Sequence, residues 1–139
     1  MSYWLAKSDP DTYGWSDLLR DGKTTWDGIR NYKARNFLRE MKPGDVVLFY
    51  HSGDEKSVVA AMTVLSEPHG DATSDEDWTA IDVAPAWTLK KPVTLAAIKA
   101  EPSLKSLHLV REGRLSVMPL EKKDFDFIVS LGGGPVKLS

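Results

Sequence analysis

The spacing of hydrophobic and polar positions changes character several times along the chain. Residues 2–7 alternate aromatic with small or polar side chains, which predicts a half-buried first strand. Asp9-Pro10-Asp11 breaks it. A short helix is predicted over residues 16–20, stopped by Asp21-Gly22. From Asn31 the period becomes helical. Ala34, Phe37, Leu38 and Met41 recur at i, i+3, i+4 and i+7 and make one apolar face, with Arg35 and Arg39 off it. Pro43-Gly44 ends that helix. Residues 46–50 are apolar throughout, which predicts a central strand covered on both faces. The turn Ser52-Gly53-Asp54 leads into a second strand over 57–65, and the pair reads as a hairpin. Residues 78–83 alternate as a further strand, which 87–89 extends. Thr94 is placed to cap a short helix over 95–100. A closing helix over 121–131 would bury Phe125, Ile128 and Val129.

Strands outnumber long helices and no regular βαβ alternation appears. The pattern predicts an α+β fold, an antiparallel or mixed sheet curled into a small barrel with flanking helices. Such a barrel offers a pocket at its mouth, lined by strand ends and loops. Residues 1–131 form one domain in this reading. Residues 132–139, opening on Gly132-Gly133-Gly134-Pro135, read as a flexible tail. Trp4, Trp15 and Trp26 are equally spaced, but their surroundings share nothing else, so no repeat is inferred.

Composition narrows the function classes. Hydrophobic residues at 42% and charged residues at 27% suit an ordinary globular domain. The lack of cysteine excludes a disulfide framework, thiolate catalysis and Cys-based zinc sites. No apolar run reaches the roughly 20 residues that cross a bilayer, so no membrane role is expected. The N-terminus lacks the basic and apolar regions of a signal peptide. Cytoplasmic residence is the expectation, with nucleoid association in a bacterium or nuclear residence in a eukaryote. Net charge is −2, but the charges segregate. Residues 23–39 carry Lys23, Arg30, Lys33, Arg35 and Arg39 against Asp27 alone, whereas 71–82 hold five acids and no Lys or Arg. A local positive face of this kind favours contact with a few phosphates. A solvated helix face would look the same.

Catalytic motifs are missing. His51, His69 and His108 show no metal-ligand spacing, there is no G-x-S-x-G elbow, and no helix follows the late glycines. Neither a catalytic residue, a metal nor a cofactor is expected. Binding chemistry is better represented. In Thr25-Trp26-Asp27-Gly28-Ile29-Arg30-Asn31-Tyr32-Lys33-Ala34-Arg35-Asn36, an aromatic plate and a turn precede planar cations and amides. The Asp27-Gly28 turn could bring backbone N–H groups to a ligand. That mixture suits a flat, polar, phosphate-bearing object such as a nucleobase on its backbone. A core tryptophan beside a basic helix face is the plainer alternative. Lys7-Ser8-Asp9-Pro10 and Tyr50-His51-Ser52 each end a strand with hydrogen-bonding side chains, and Arg114-Leu115-Ser116-Val117 puts a planar donor and a hydroxyl at the start of a late apolar segment.

These motifs together, with Tyr3-Trp4-Leu5-Ala6 and Pro119-Leu120, resemble the EVE domain family. The likeness runs through most of the chain. Two positions depart from the family pattern: Asp9 stands where Glu is typical, and Lys33 where Gln is typical. The shorter acid at 9 would alter which exocyclic amine it reaches. The resemblance implies a PUA-like fold, related to the YTH domains that read methylated adenine in RNA. It also implies a pocket for a modified base, with modified cytosine in DNA foremost and RNA as the alternative carrier. On this reading Trp26 stacks on a flipped base, and Ser8, Asp9, Asn31 and Tyr32 line it. His51, Ser52 and Ser116 contact it or brace the pocket, while Lys7, Arg30, Arg35 and Arg114 hold the backbone. Two further classes stay open: an enzyme acting on a modified nucleotide or small metabolite through Asp9 or His51, and a protein-interaction module. Protein partners are unknown.

Overall fold

The computed structural model describes residues 1–138. Its first strand, β1 (Tyr3–Ser8), lies between β3 (Val46–His51), to which it is parallel, and β7 (Val117–Leu120), to which it is antiparallel. β3 turns back into its antiparallel neighbour β4 (Ser57–Val64), so the expected hairpin is present. The central place of β3 follows from its composition: Val47, Leu48, Phe49 and Tyr50 are all buried. Both faces of the strand meet apolar neighbours, as an unbroken apolar run requires.

One long strand completes the sheet. β6 (Thr79–Thr94) spans 16 residues and joins the two pieces that the alternation predicts over 78–83 and 87–89. It pairs with β4, with β2 (Thr24–Trp26), with β5 (His69–Gly70) and with β8 (Pro135–Lys137). The main order is β2-β6-β4-β3-β1-β7. Two register shifts against β4 absorb residues that a regular ladder would reject: Pro85 sits beside one, and residues 89–92 bulge out at the other. Bulges bend a strand and increase its twist, which lets β6 edge several strands and curls the sheet. The result is the expected α+β fold on a curled mixed sheet.

Helices cover this sheet. They are α1 (Pro10–Tyr13), α2 (Trp15–Asp21), α3 (Tyr32–Glu40), α4 (Leu95–Lys99), α5 (His108–Arg111) and α6 (Lys122–Leu131). On α3, Ala34 and Leu38 are buried, Phe37 packs beside them, and Met41 closes the C-terminal end. Asn31 caps α3, its Oδ1 accepting the Ala34 N–H at 2.9 Å, and Thr94 caps α4 likewise through Ala97 at 3.1 Å. Among the described residues no helix is long and apolar enough to cross a membrane. Phe49 sits at the centre of the core. The rings of Trp15 and Trp26 both meet it edge-on at 5.4 Å, so two of the equally spaced tryptophans share one partner.

The glycine-rich end departs from the expectation of a loose tail. Residues 135–137 form β8, with Pro135, Val136 and Lys137 opposite Leu89, Thr88 and Trp87. The Lys91 N–H donates to Gly132 O at 3.0 Å and the Lys90 N–H to Gly134 O at 3.1 Å. Gly132 permits this seam because a Cβ there would stand 3.0 Å from the Leu89 methyls and from Lys91 O. Absent side chains let two backbones approach. They did not signal disorder.

Candidate functional site

A cleft of about 510 Å³ opens where β1 and β2 end, within the roughly 300–1,000 Å³ common for small-ligand sites. Lys7, Ser8 and Asp9 form one wall, Thr12 and Tyr13 of α1 border it, and residues 24–29 form the other wall. Pro10 stops β1, and Asp9 then caps α1 with Oδ1 accepting the Asp11 N–H at 2.9 Å. Ser8 Oγ donates to Tyr13 O at 2.5 Å, so its hydrogen is committed and its lone pairs remain for a donor. Lys7 Nζ donates to Gly113 O at 3.0 Å and lies 5.6 Å from the centre of the Tyr50 ring. Burial pushes the Lys7 ammonium pKa down and the Tyr50 phenol up.

The opposite wall is held from below. Trp26 pairs with Ile81 at the end of β2 and is 7% exposed. Its ring is therefore a core side chain that also borders the cleft. Gly28 takes φ +78° to turn the chain. Its N–H does not face a ligand, as the turn dipeptide suggested, but donates to Asp71 Oδ2 at 2.9 Å. The same oxygen accepts from Arg30 Nη1 at 2.9 Å, while Oδ1 accepts the Thr73 N–H at 2.8 Å and the Thr73 hydroxyl. Burial alone would push Asp71 up. Hydrogen bonds from Thr73, Arg30 and Gly28 outweigh it and hold the carboxyl well below the usual carboxylate range.

The remaining predicted residues divide into three groups. His51, Ser52 and Ser116 brace the structure behind the cleft. His51 Nε2 accepts the Trp15 N–H at 3.0 Å and Nδ1 faces Glu55 at 3.0 Å; the Ser52 N–H donates to Ser8 O, and Ser116 O accepts from the Lys7 N–H. Asn31 and Arg114 line a neighbouring cleft of about 280 Å³ with Lys33, Glu112, Gly113 and Leu115. The contact between Lys7 and Gly113 joins the two clefts. Tyr32, Arg30 and Arg35 gather instead around Trp78.

The basic and acidic stretches face each other. Arg30 pairs with Asp71, Lys33 with Glu112, and Arg35 and Arg39 with Asp77. The positive face expected from the sequence is thereby largely neutralised. Arg114 is exposed and, among the described residues, makes no ion pair. Lys7 makes none either. Among the described residues no group of three or more His, Asp or Glu converges to hold a metal ion. Sequence reasoning missed Thr12, Tyr13 and Thr24 in the cleft and Asp71 beneath it. No local pattern marks them, since they meet the site only through the turn after β1 and the pairing of β2 with β6.

A curled mixed sheet with a polar cleft at its strand ends defines a PUA-like domain. The sequence model of the EVE domain matches residues 2–131, and the chain belongs to that family. Thymocyte nuclear protein 1 of Homo sapiens is 35% identical over 165 aligned positions, which cover 94% of this chain and 73% of the human protein. An Agrobacterium tumefaciens protein of known structure superposes with a TM-score of 0.93 at 35% identity, covering 100% of both chains. The human THYN1 protein, solved in complex with DNA containing 5-methylcytosine, superposes at 0.88 with 32% identity over 95% of this chain and 98% of its own.

Proposed function

We propose that this chain binds nucleic acid carrying a modified base, takes that base out of its strand into the cleft between β1 and β2, and releases it unchanged. Modified cytosine in DNA is the proposed ligand. The observation that carries this reading is the pair of acceptors on the cleft wall. Ser8 Oγ has spent its hydrogen on Tyr13 O, and Asp9 Oδ2 remains after Oδ1 has capped α1. Two acceptors suit an exocyclic amine. Trp26 supplies an apolar wall, and Lys7 in the cleft and Arg114 in the neighbouring cleft, neither of them ion-paired among the described residues, are the cations for backbone phosphates. The DNA complex of the human relative supports the same reading.

Extruding a base from a duplex costs a few kcal/mol, so single-stranded or destabilised sites bind better. A methyl group gains only about 0.8 kcal/mol when buried, a few-fold in affinity. The test is a titration of tryptophan fluorescence with strands that differ in one modified base, followed by mass analysis of the strand. A preference for the modified strand that survives raised salt is expected, because phosphate contacts are common to both strands and cancel in the ratio. Equal affinity across the panel refutes the reading. A converted base in the recovered strand points to an enzyme instead.

A further inference from the structure

We infer that the exposed stack of Tyr32 on Trp78 is a second nucleobase subsite, which takes the base next to the one in the cleft; this rests on the reading proposed above. Tyr32 opens α3 and is 67% exposed, whereas Trp78 beneath it is 9% exposed. Their rings lie 5.1 Å apart at 24°, a stacked arrangement. The lower ring is anchored and the upper ring faces solvent. Two guanidiniums hold the pair. Arg35 Cζ lies 4.9 Å from the Tyr32 centroid and 5.7 Å from that of Trp78, and Arg30 Cζ lies 5.6 Å from Trp78.

Both arginines are already engaged elsewhere. Arg30 Nη1 bonds Asp71 and Nη2 bonds Thr73, each at 2.9 Å, while Arg35 Nη1 donates to Asp77 O at 3.2 Å. These bonds fix the cations against the rings, so the plate is set before any ligand arrives. Its position identifies the occupant. Ile29 lines the cleft, and three residues later, at most about 11 Å of Cα trace, comes Tyr32. Asn31, between them, lines the neighbouring cleft with the unpaired Arg114. A strand with one base in the cleft therefore runs past the stack. Every base has a π-face, so such a plate adds affinity without choosing among bases.

The test is a cycle on the full chain with fluorescein-labelled single strands read by anisotropy. Each strand carries modified or plain cytosine, with an intact or abasic neighbour on its 5′ or 3′ side. Tyr32→Ala should weaken modified and plain strands alike by fivefold or more and leave their ratio unchanged. Tyr32→Phe should bind as the parent does. One abasic neighbour should weaken the parent by the same factor, and Tyr32→Ala should then lose nothing further on that strand. Circular dichroism and urea unfolding confirm that Tyr32→Ala is folded. Losses that multiply in full across the cycle, on both sides, overturn the subsite. A changed modified-to-plain ratio in Tyr32→Ala also overturns it, since the ring would then touch the modified base. Loss of preference in the parent alone refutes the reader reading and leaves the cycle to decide the subsite on plain strands. No binding of any strand overturns both.

Discussion

Replacing Asp71 by Ala tests how the cleft is held. The carboxylate is 3% exposed and accepts four hydrogen bonds, from Gly28 N, Arg30 Nη1, Thr73 N and Thr73 Oγ. A hydrogen bond to a charged group contributes about 1.5–3 kcal/mol, but four such values do not add here. Gly28, Arg30 and Thr73 are all exposed, so water replaces part of what each donor loses. A net loss of about 2–3 kcal/mol follows, or about 6–12 °C in Tm for a domain of this size. Urea unfolding at neutral pH measures it. Linkage supplies a second signature. The folded pKa of Asp71 is depressed, so its stabilisation is complete above the unfolded value of about 3.9 and fades as pH falls below it. Asp71→Asn has no such titration, and its deficit relative to the parent should narrow steadily from pH 5 toward pH 2. Affinity for a modified strand should also fall while the variant remains folded, because residues 27–30 lose their anchor. A stability unchanged within 0.5 kcal/mol, with a deficit that ignores pH, would show that this acid does not hold the wall.

Trp26→Ala should destabilise the fold by about 3–5 kcal/mol, since the ring is core, whereas Trp26→Phe should unfold near the parent midpoint and still bind more weakly. Arg114→Ala should reduce the salt dependence of single-strand binding by about 0.7 in log–log slope; Arg35→Ala, whose guanidinium is already paired with Asp77, should change that slope less. Asp9→Asn should erode discrimination between bases more than overall affinity, measured as the ratio of dissociation constants across the strand panel, because an amide adds a donor to an accepting wall. Gly132→Ala should cost about 1–3 kcal/mol in urea unfolding, because the new methyl meets Leu89 and the Lys91 carbonyl at 3.0 Å.

Legibility in this chain followed the range of the interaction. The cap of α4 by Thr94 and the hairpin of β3 and β4 depend on residues close in sequence, so spacing and turn chemistry revealed them, whereas Asn31, assigned to a ligand by the sequence, caps α3 instead. The cleft is half visible in the sequence: its motifs contain Lys7, Ser8, Asp9 and Trp26, whereas no local pattern marks Thr12, Tyr13 and Thr24. Arg30 and Arg35 look like free cations in a basic run. They proved to be matched by Asp71 and Asp77, some 40 residues away, because α3 packs across the start of β6.

Side-chain periodicity alone sufficed for β1, β3, β4 and most of β6, the apolar face of α3 and the mixed α+β class, since burial of one face must repeat with the backbone geometry that presents it; β2, β5, β7 and β8, of two to four residues each, are too short to show a period. The motifs around Trp26 and Ser8 were enough to indicate the family. Which groups remain available to a ligand was decided only by the tertiary structure. A hydroxyl, an amide or a guanidinium is chemically the same in the sequence whether its bonds are free or spent. Only the folded chain commits the Ser8 hydrogen to Tyr13, the Gly28 N–H to Asp71 and the Arg30 guanidinium to Asp71 and Thr73, and among the described residues it leaves Lys7 and Arg114 without an acid. Those bonds link residues from 5 to 43 positions apart. They form because burial penalises every unpaired polar group, and the nearest partner in space is set by strand order and not by position in the chain.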